Sequence, residues 1–199
     1  MDFTRIVDFI RLINAFRTIK RTVSISGPTD KENDAEHSYQ VAMLAWYIAS
    51  ANDLGLDIDL VIKYGLVHDF VEVYAGDSSF YRSESESKVK KDKEHEAAAT
   101  LKETLPEFAD LHEFIERYEK REDEESRFVY ALDKVVPIIN IYLNGGHDWR
   151  EHKVTLERLI ENKTDKVAYS RYIEPYFNDL LKILEKNRDM FHVEQVTKA

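Results

Sequence analysis

An all-α domain is what these 199 residues lead one to expect. Helical periodicity dominates, no Asn-Gly hairpin signal or convincing alternating strand breaks it, and 43% hydrophobic with 33% charged residues suits one compact body with a full core. From residue 2 to 20, Phe3, Ile6, Val7, Ile10, Ile13 and Asn14 fall three and four apart, which makes an amphipathic helix. Residues 24 to 34, SISGPTDKEND, hold Gly27, Pro28 and short polar side chains and read as a loop. Asp34 is the expected N-cap of a second helix, AEHSYQVAMLAWYIASAND, whose apolar stripe Val41, Leu44, Ala45 and Ile48 also carries His37. A third helix starts at Asp57 or Asp59 and runs to Gly76. The serine-rich stretch 77 to 93 reads as a connection that could act as a lid. Helices are expected from about Glu94 to Leu105, stopping before Pro106, from Glu107 to Arg121, and through EESRFVYALDKVVPIINIYL to Gly145-Gly146 with a kink at Pro137. Two more, roughly 150 to 162 and 166 to 190, complete a single domain spanning 1 to 199, the last packing on the bundle or at a dimer interface.

Composition narrows the function. With no cysteine, thiolate metal sites and disulfides are excluded, and a reducing, cytoplasmic compartment is the expectation. Charges interrupt every apolar stretch well short of the roughly 20 residues a membrane span requires. A formal net charge of −10 argues against a nucleic-acid polymer as partner, because phosphate backbones are gripped by clustered Lys and Arg. A small anion in a locally basic pocket remains compatible.

The stretch LVIKYGLVHDFVEVYAGD, residues 60 to 77, places His68, Asp69, Glu72 and Asp77 in an apolar, helix-like run. Burying ionisable groups costs several kcal/mol unless each is compensated. His37 on the second helix and Asp133 in ALDKVVP can converge on His68 and Asp69, so that two imidazoles and two carboxylates share one divalent cation. Nitrogen and oxygen donors without sulfur suit Mn, Fe, Co, Ni or Zn better than Ca. Open coordination positions would hold water, made acidic enough to attack, and a phosphate oxygen. Glu72, four residues after His68, is expected one turn away as general acid/base.

The order His37, His68-Asp69, Asp133 resembles the HD-domain metal-dependent phosphohydrolases, and VSISGPTDKENDAEHSYQVAMLA, VHDFVEVYAGD and RFVYALDKVVPIINIYLNGG are similar to the branch containing bacterial 5'-deoxynucleotidases and related HD hydrolases. The resemblance spans roughly residues 5 to 160. It implies a helical bundle with a single divalent metal between helices, often a homodimer, with His37, His68, Asp69 and Asp133 matching the metal ligands, Glu72 the catalytic carboxylate, and Asp77 a residue that contacts the sugar or orients water. An Arg-Trp pair that reads phosphate and deoxyribose in that branch is matched here by Ala15 and Phe16. Arg17, Lys20 and Arg21 stand nearby as phosphate partners, Arg21 best by alignment. The blander readings are a cap or Asx-turn for Asp77 and a solvated helix face for the basic residues. His147 and His152 are expected to face solvent or cap rather than bind a second metal.

Together these point to hydrolysis of a small phosphoester, a nucleoside 5'-monophosphate above others. The alternatives are a nucleoside triphosphate or alarmone phosphoanhydride as substrate, or a regulatory module that binds metal and nucleotide without turnover.

Overall fold

The computed structural model describes residues 2–77 and 84–193. It is the expected α-helical bundle, with one small sheet added. Helix α1 (Phe3–Phe16) is capped by Asp2, whose carboxylate accepts from Arg5 N at 3.1 Å. Strands β1 (Lys20–Ser26) and β2 (Asp30–Asn33) follow as an antiparallel hairpin pairing Lys20 with Asn33 and Ser24 with Lys31. Part of this segment was expected to be loop. Its local composition is indeed turn-like, but distant groups stabilise the paired form: Ser24 N and Oγ each donate to Asp148 at 2.8 Å, and Gly27 N donates to Asn144 Oδ1 at 2.9 Å.

Helix α2 (Asp34–Ala51) begins at its expected cap, because Asn33, one residue earlier, is the N-cap and forms a reciprocal capping box with Glu36. Helix α3 (Ile58–Val67) is capped by Asp57, but it ends nine residues short of Gly76. His68 to Val71 form a turn, and a short α4 (Glu72–Ala75) closes at Gly76, where φ is 71°. Helix α5 (Glu84–Thr104) starts ten residues before the expected Glu94, so the second half of the supposed connection is helix; residues 78 to 83, where a lid was considered, lie outside the described residues.

Helices α6 (Ala109–Lys120) and α7 (Glu124–Leu143) fall close to expectation, α7 with a capping box at Asp123 and Pro137 inside it. The C-terminal part divides differently from the expected pair of helices. It forms α8 (His147–Glu151), α9 (Leu156–Val167) and α10 (Glu174–Glu185), with Thr155 capping α9 and Pro175 in the first turn of α10 setting the breaks.

Helix α7 is the axis of the main core. Its Phe128, Val129, Leu132, Val136 and Ile141 pack with Val41 and Ala45 of α2, Val61 and Tyr64 of α3, Leu159 of α9, and Phe177 and Leu184 of α10. A second apolar cluster joins Leu12 and Phe16 of α1 to Phe70, Val71, Leu101 of α5 and Ile115 of α6. The turn bearing His68 and Asp69 therefore lies between two packed bodies. No described helix is long and apolar enough to cross a membrane.

Candidate metal centre

Helices α2 and α3 approach closely enough for a small residue to be obligatory. A Cβ on Gly65 would lie 2.6 Å from Ala42 Cα, so this glycine lets the helix bearing His37 rest against the one that ends in His68. Helix α7 brings Asp133 to the same point. One ligand atom from each of His37, His68, Asp69 and Asp133 lies within 4.8 Å of the others, the four residues that the sequence singled out.

Individual contacts show how tight the cluster is. His37 Nε2 stands 3.0 Å from Asp133 Oδ1 and 3.8 Å from Asp69 Oδ2. His68 Nε2 is 3.3 Å from Asp69 Oδ2 and 3.7 Å from Asp133 Oδ1, yet it is buried and makes no hydrogen bond among the described residues. Its other ring nitrogen, Nδ1, faces Gly65 O at 3.0 Å, and because a carbonyl only accepts, Nδ1 carries the proton. Nε2 of His68 thus points into a pocket of two carboxylates and a second imidazole, where a cation would take the place of a proton. That is the chemistry a divalent ion satisfies, and the donor set of two nitrogens and two oxygens fits one.

Electrostatics follow from crowding. Burial opposes the charged form of His68, but Asp69 and Asp133 outweigh it and raise its pKa to about 10. Burial, aided by the Arg21 charge, pushes His37 down to about 4. Asp69, half-buried, and Asp133, buried, are held well below the usual carboxylate range, the former by His68 and Arg21, the latter by Lys134 and the two imidazoles. Lys134 Nζ lies directly on Asp133 Oδ2.

A second acidic group borders the first. Asp34, Asp69 and Glu72 also bring carboxylate oxygens within 4.8 Å, which places Glu72 next to the His–Asp cluster. It arrives there from the N-terminus of α4 after a turn, with Glu72 N donating to Asp69 O at 2.8 Å, and not from the continuous helical face that the spacing suggested. A cation is already present in this group: Arg21 Nη1 donates to Asp69 Oδ2 at 2.7 Å and Asp34 Oδ1 at 3.2 Å, while Nε donates to Glu32 Oε1 at 3.0 Å. Burial and the neighbouring Asp69 charge raise Asp34 to about 7 even so.

The other expected residues are placed unequally. Asp77 is half-buried, and its charge acts on Arg21 and Asp34. Phe16 is buried with its ring 5.2 Å from Phe70. Arg17 and Lys20 are exposed, Lys20 Nζ donating to Lys31 O at 3.1 Å, so of the basic triplet it is Arg21 that reaches the carboxylates. His147, Asp148 and Glu151 bring ligand atoms equally close, but Lys31 Nζ lies 2.8 Å from Asp148 Oδ1 and 3.8 Å from Glu151 Oε2 and is the cation there. Glu32, Asp34 and Lys134 escaped the sequence reading. Lys134 had a signal in its adjacency to Asp133, whereas Glu32 lay in a segment read as loop.

The model of one family, the HD domain, matches residues 13–172. This chain belongs to the HD domain family. Among curated proteins no match to its sequence is found. Among solved structures, this HD domain is similar to a protein from Magnetospirillum magnetotacticum MS-1 described as a predicted metal-dependent phosphohydrolase, with a TM-score of 0.79 and 26% identity over 96% of this chain and 99% of that one. A conserved hypothetical protein from Pyrococcus furiosus (TM-score 0.57, 20% identity, 90% of this chain and 99% of that one) and a protein from Pyrococcus horikoshii OT3 (0.63, 20%, 91% and 99%) share the fold.

Proposed function

We propose that this HD domain is a metal-dependent phosphohydrolase that releases phosphate from a nucleoside 5'-monophosphate: the ester P–O bond breaks, water supplies the new P–O bond, and the nucleoside leaves as the alcohol. The observation that carries the reading is the convergence of His37, His68, Asp69 and Asp133 with a buried, unbonded Nε2 on His68. Family membership and the 26% identical Magnetospirillum protein, described as a predicted metal-dependent phosphohydrolase, support the reaction class. The nucleotide part rests on the motif resemblance.

Those four residues would hold a divalent transition ion, which would supply Lewis-acid charge neutralisation at the phosphate and lower the pKa of water. The remaining work falls to side chains of this chain. Glu72, 3% exposed and beside Asp69, takes the proton from attacking water and returns one to the leaving oxygen. Arg21, anchored by Glu32, Asp34 and Asp69, is the fixed positive charge for the phosphate, and Asp77 orients water or sugar. A homodimer in the cytoplasm completes the proposal.

The test is a substrate panel with Mn²⁺, Co²⁺ and Mg²⁺ in parallel. Free phosphate from nucleoside monophosphates is the expected result. Release of pyrophosphate or triphosphate moves the substrate to a nucleoside triphosphate, and no turnover with any cation overturns the enzyme reading.

A further inference from the structure

The hairpin delivers a carboxylate to the back of a proposed metal ligand. Glu32 on β2 is 1% exposed, and its Oε1 lies 3.5 Å from His37 Nδ1, the ring nitrogen turned away from Asp133 and Asp69. Nδ1 is buried and has no hydrogen bond among the described residues. Glu32 is itself held from two sides. Arg21 Nε donates to Oε1 at 3.0 Å, and Asn140 Nδ2 of α7 donates to Oε2 at 3.1 Å. Asn140 is fixed in turn by exchanging amide hydrogen bonds with Gln40 of α2, at 2.7 and 3.1 Å.

An imidazole that gives its Nε2 lone pair to a cation must carry its proton on Nδ1, and a buried N–H needs an acceptor. Gly65 O meets that need for His68. We infer that Glu32 meets it for His37: it is a positioning residue that accepts the Nδ1–H, fixes the tautomer and ring plane, and strengthens the imidazole as a ligand, as outer-sphere carboxylates do in other metal sites. The inference rests on the metal reading of His37. It also assigns the hairpin and the Asn140–Gln40 pair a purpose: they place one carboxylate behind one ligand.

Co²⁺ affinity, followed by visible absorption in competition with a chelator, tests it, alongside the melting temperature of each metal-free protein. Glu32→Gln keeps an acceptor oxygen without the charge and should weaken Co²⁺ binding by about tenfold; Glu32→Ala, which removes the acceptor, should weaken it by about a hundredfold. The metal-free melting temperatures should change far less than those ratios imply, and the absorption band of the bound ion should shift. Affinities within about twofold of the original chain in folded variants would overturn the role. If neither Glu32 variant folds, Asn140→Ala, which frees the carboxylate from one side, should weaken binding severalfold, and an unchanged affinity there overturns it equally. An original chain that holds no Co²⁺ fails the metal reading itself, a different result from an original chain that binds while its variants bind as well.

Discussion

His68 is held at one ring nitrogen and open at the other: Gly65 O fixes Nδ1, while Asp69 and Asp133 only face Nε2. Replacing it with alanine should remove bound metal and activity together, as should Asp69→Ala; metal content measured beside turnover checks this, and full activity in either purified variant would contradict the ligand set. Glu72→Ala should retain the ion and lose roughly 10²-fold or more of the rate, since proton transfer by a positioned side chain contributes that much. An unchanged rate would remove Glu72 from the chemistry. The convergence of His37, His68, Asp69 and Asp133 was legible in sequence because an ionisable group in an apolar helix requires a compensating partner, and these were the groups that needed one. Glu32 and Asp34 were not legible. Their carboxylates lie in DKEND, a polar segment that gives no hint of burial until Arg21 and Asn140 close over it.

At the scale of elements, the site depends on how closely α2 and α3 approach. Gly65→Ala would force a methyl against the Ala42 backbone, where no side-chain rotation relieves it, at a cost of about 1–3 kcal/mol. Denaturant titration should show that loss, and metal affinity should fall with it, because the same contact spaces His37 from His68. The hairpin makes a separate prediction. Asp148, 2% exposed, accepts from Ser24 N, Ser24 Oγ and Lys31 Nζ at 2.8 Å each. Burial works against its charge, but Lys31 and Ser24 prevail and hold its pKa below the ordinary value. A carboxyl depressed in the folded state stabilises above its unfolded pKa of about 3.9, and that stability is lost as pH falls through the lower folded value. Asp148→Asn should therefore cost about 1–3 kcal/mol at neutral pH and show a weaker loss of stability in acid; equal stability at pH 7 would contradict the anchoring role. The sequence could not disclose the hairpin, since Asn144 and Asp148 lie more than a hundred positions away from Gly27 and Ser24. Nor could it locate the break after Val67, where no glycine or proline marks the end of α3. The periodicity of α1 was clear but misleading as to burial, since Phe3, Ile6 and Ile10 stay exposed and only Leu12 and Phe16 are buried in a core, whereas α7 buries apolar residues along its length.

For the molecule as a whole, two apolar clusters flank a polar seam that holds five buried or half-buried carboxylates, Glu32, Asp34, Asp69, Glu72 and Asp133, in a chain of net charge −10. A cation that binds only the folded chain adds stability by mass action, about 2.7 kcal/mol at a hundredfold excess over its Kd. Stripping metal with a chelator should lower the melting temperature by several degrees, and Co²⁺ or Mn²⁺ should restore it; coincident melting curves would contradict a metal that bridges α2, α3 and α7. The most direct measurement is metal content per chain after loading with Mn²⁺ or Co²⁺ and exhaustive dialysis, in the original protein and in Asp133→Ala. One ion per chain in the first and none in the second is the expected result. An original chain that retains no ion, or an Asp133→Ala chain that retains a full one, would contradict a cation shared by His37, His68, Asp69 and Asp133.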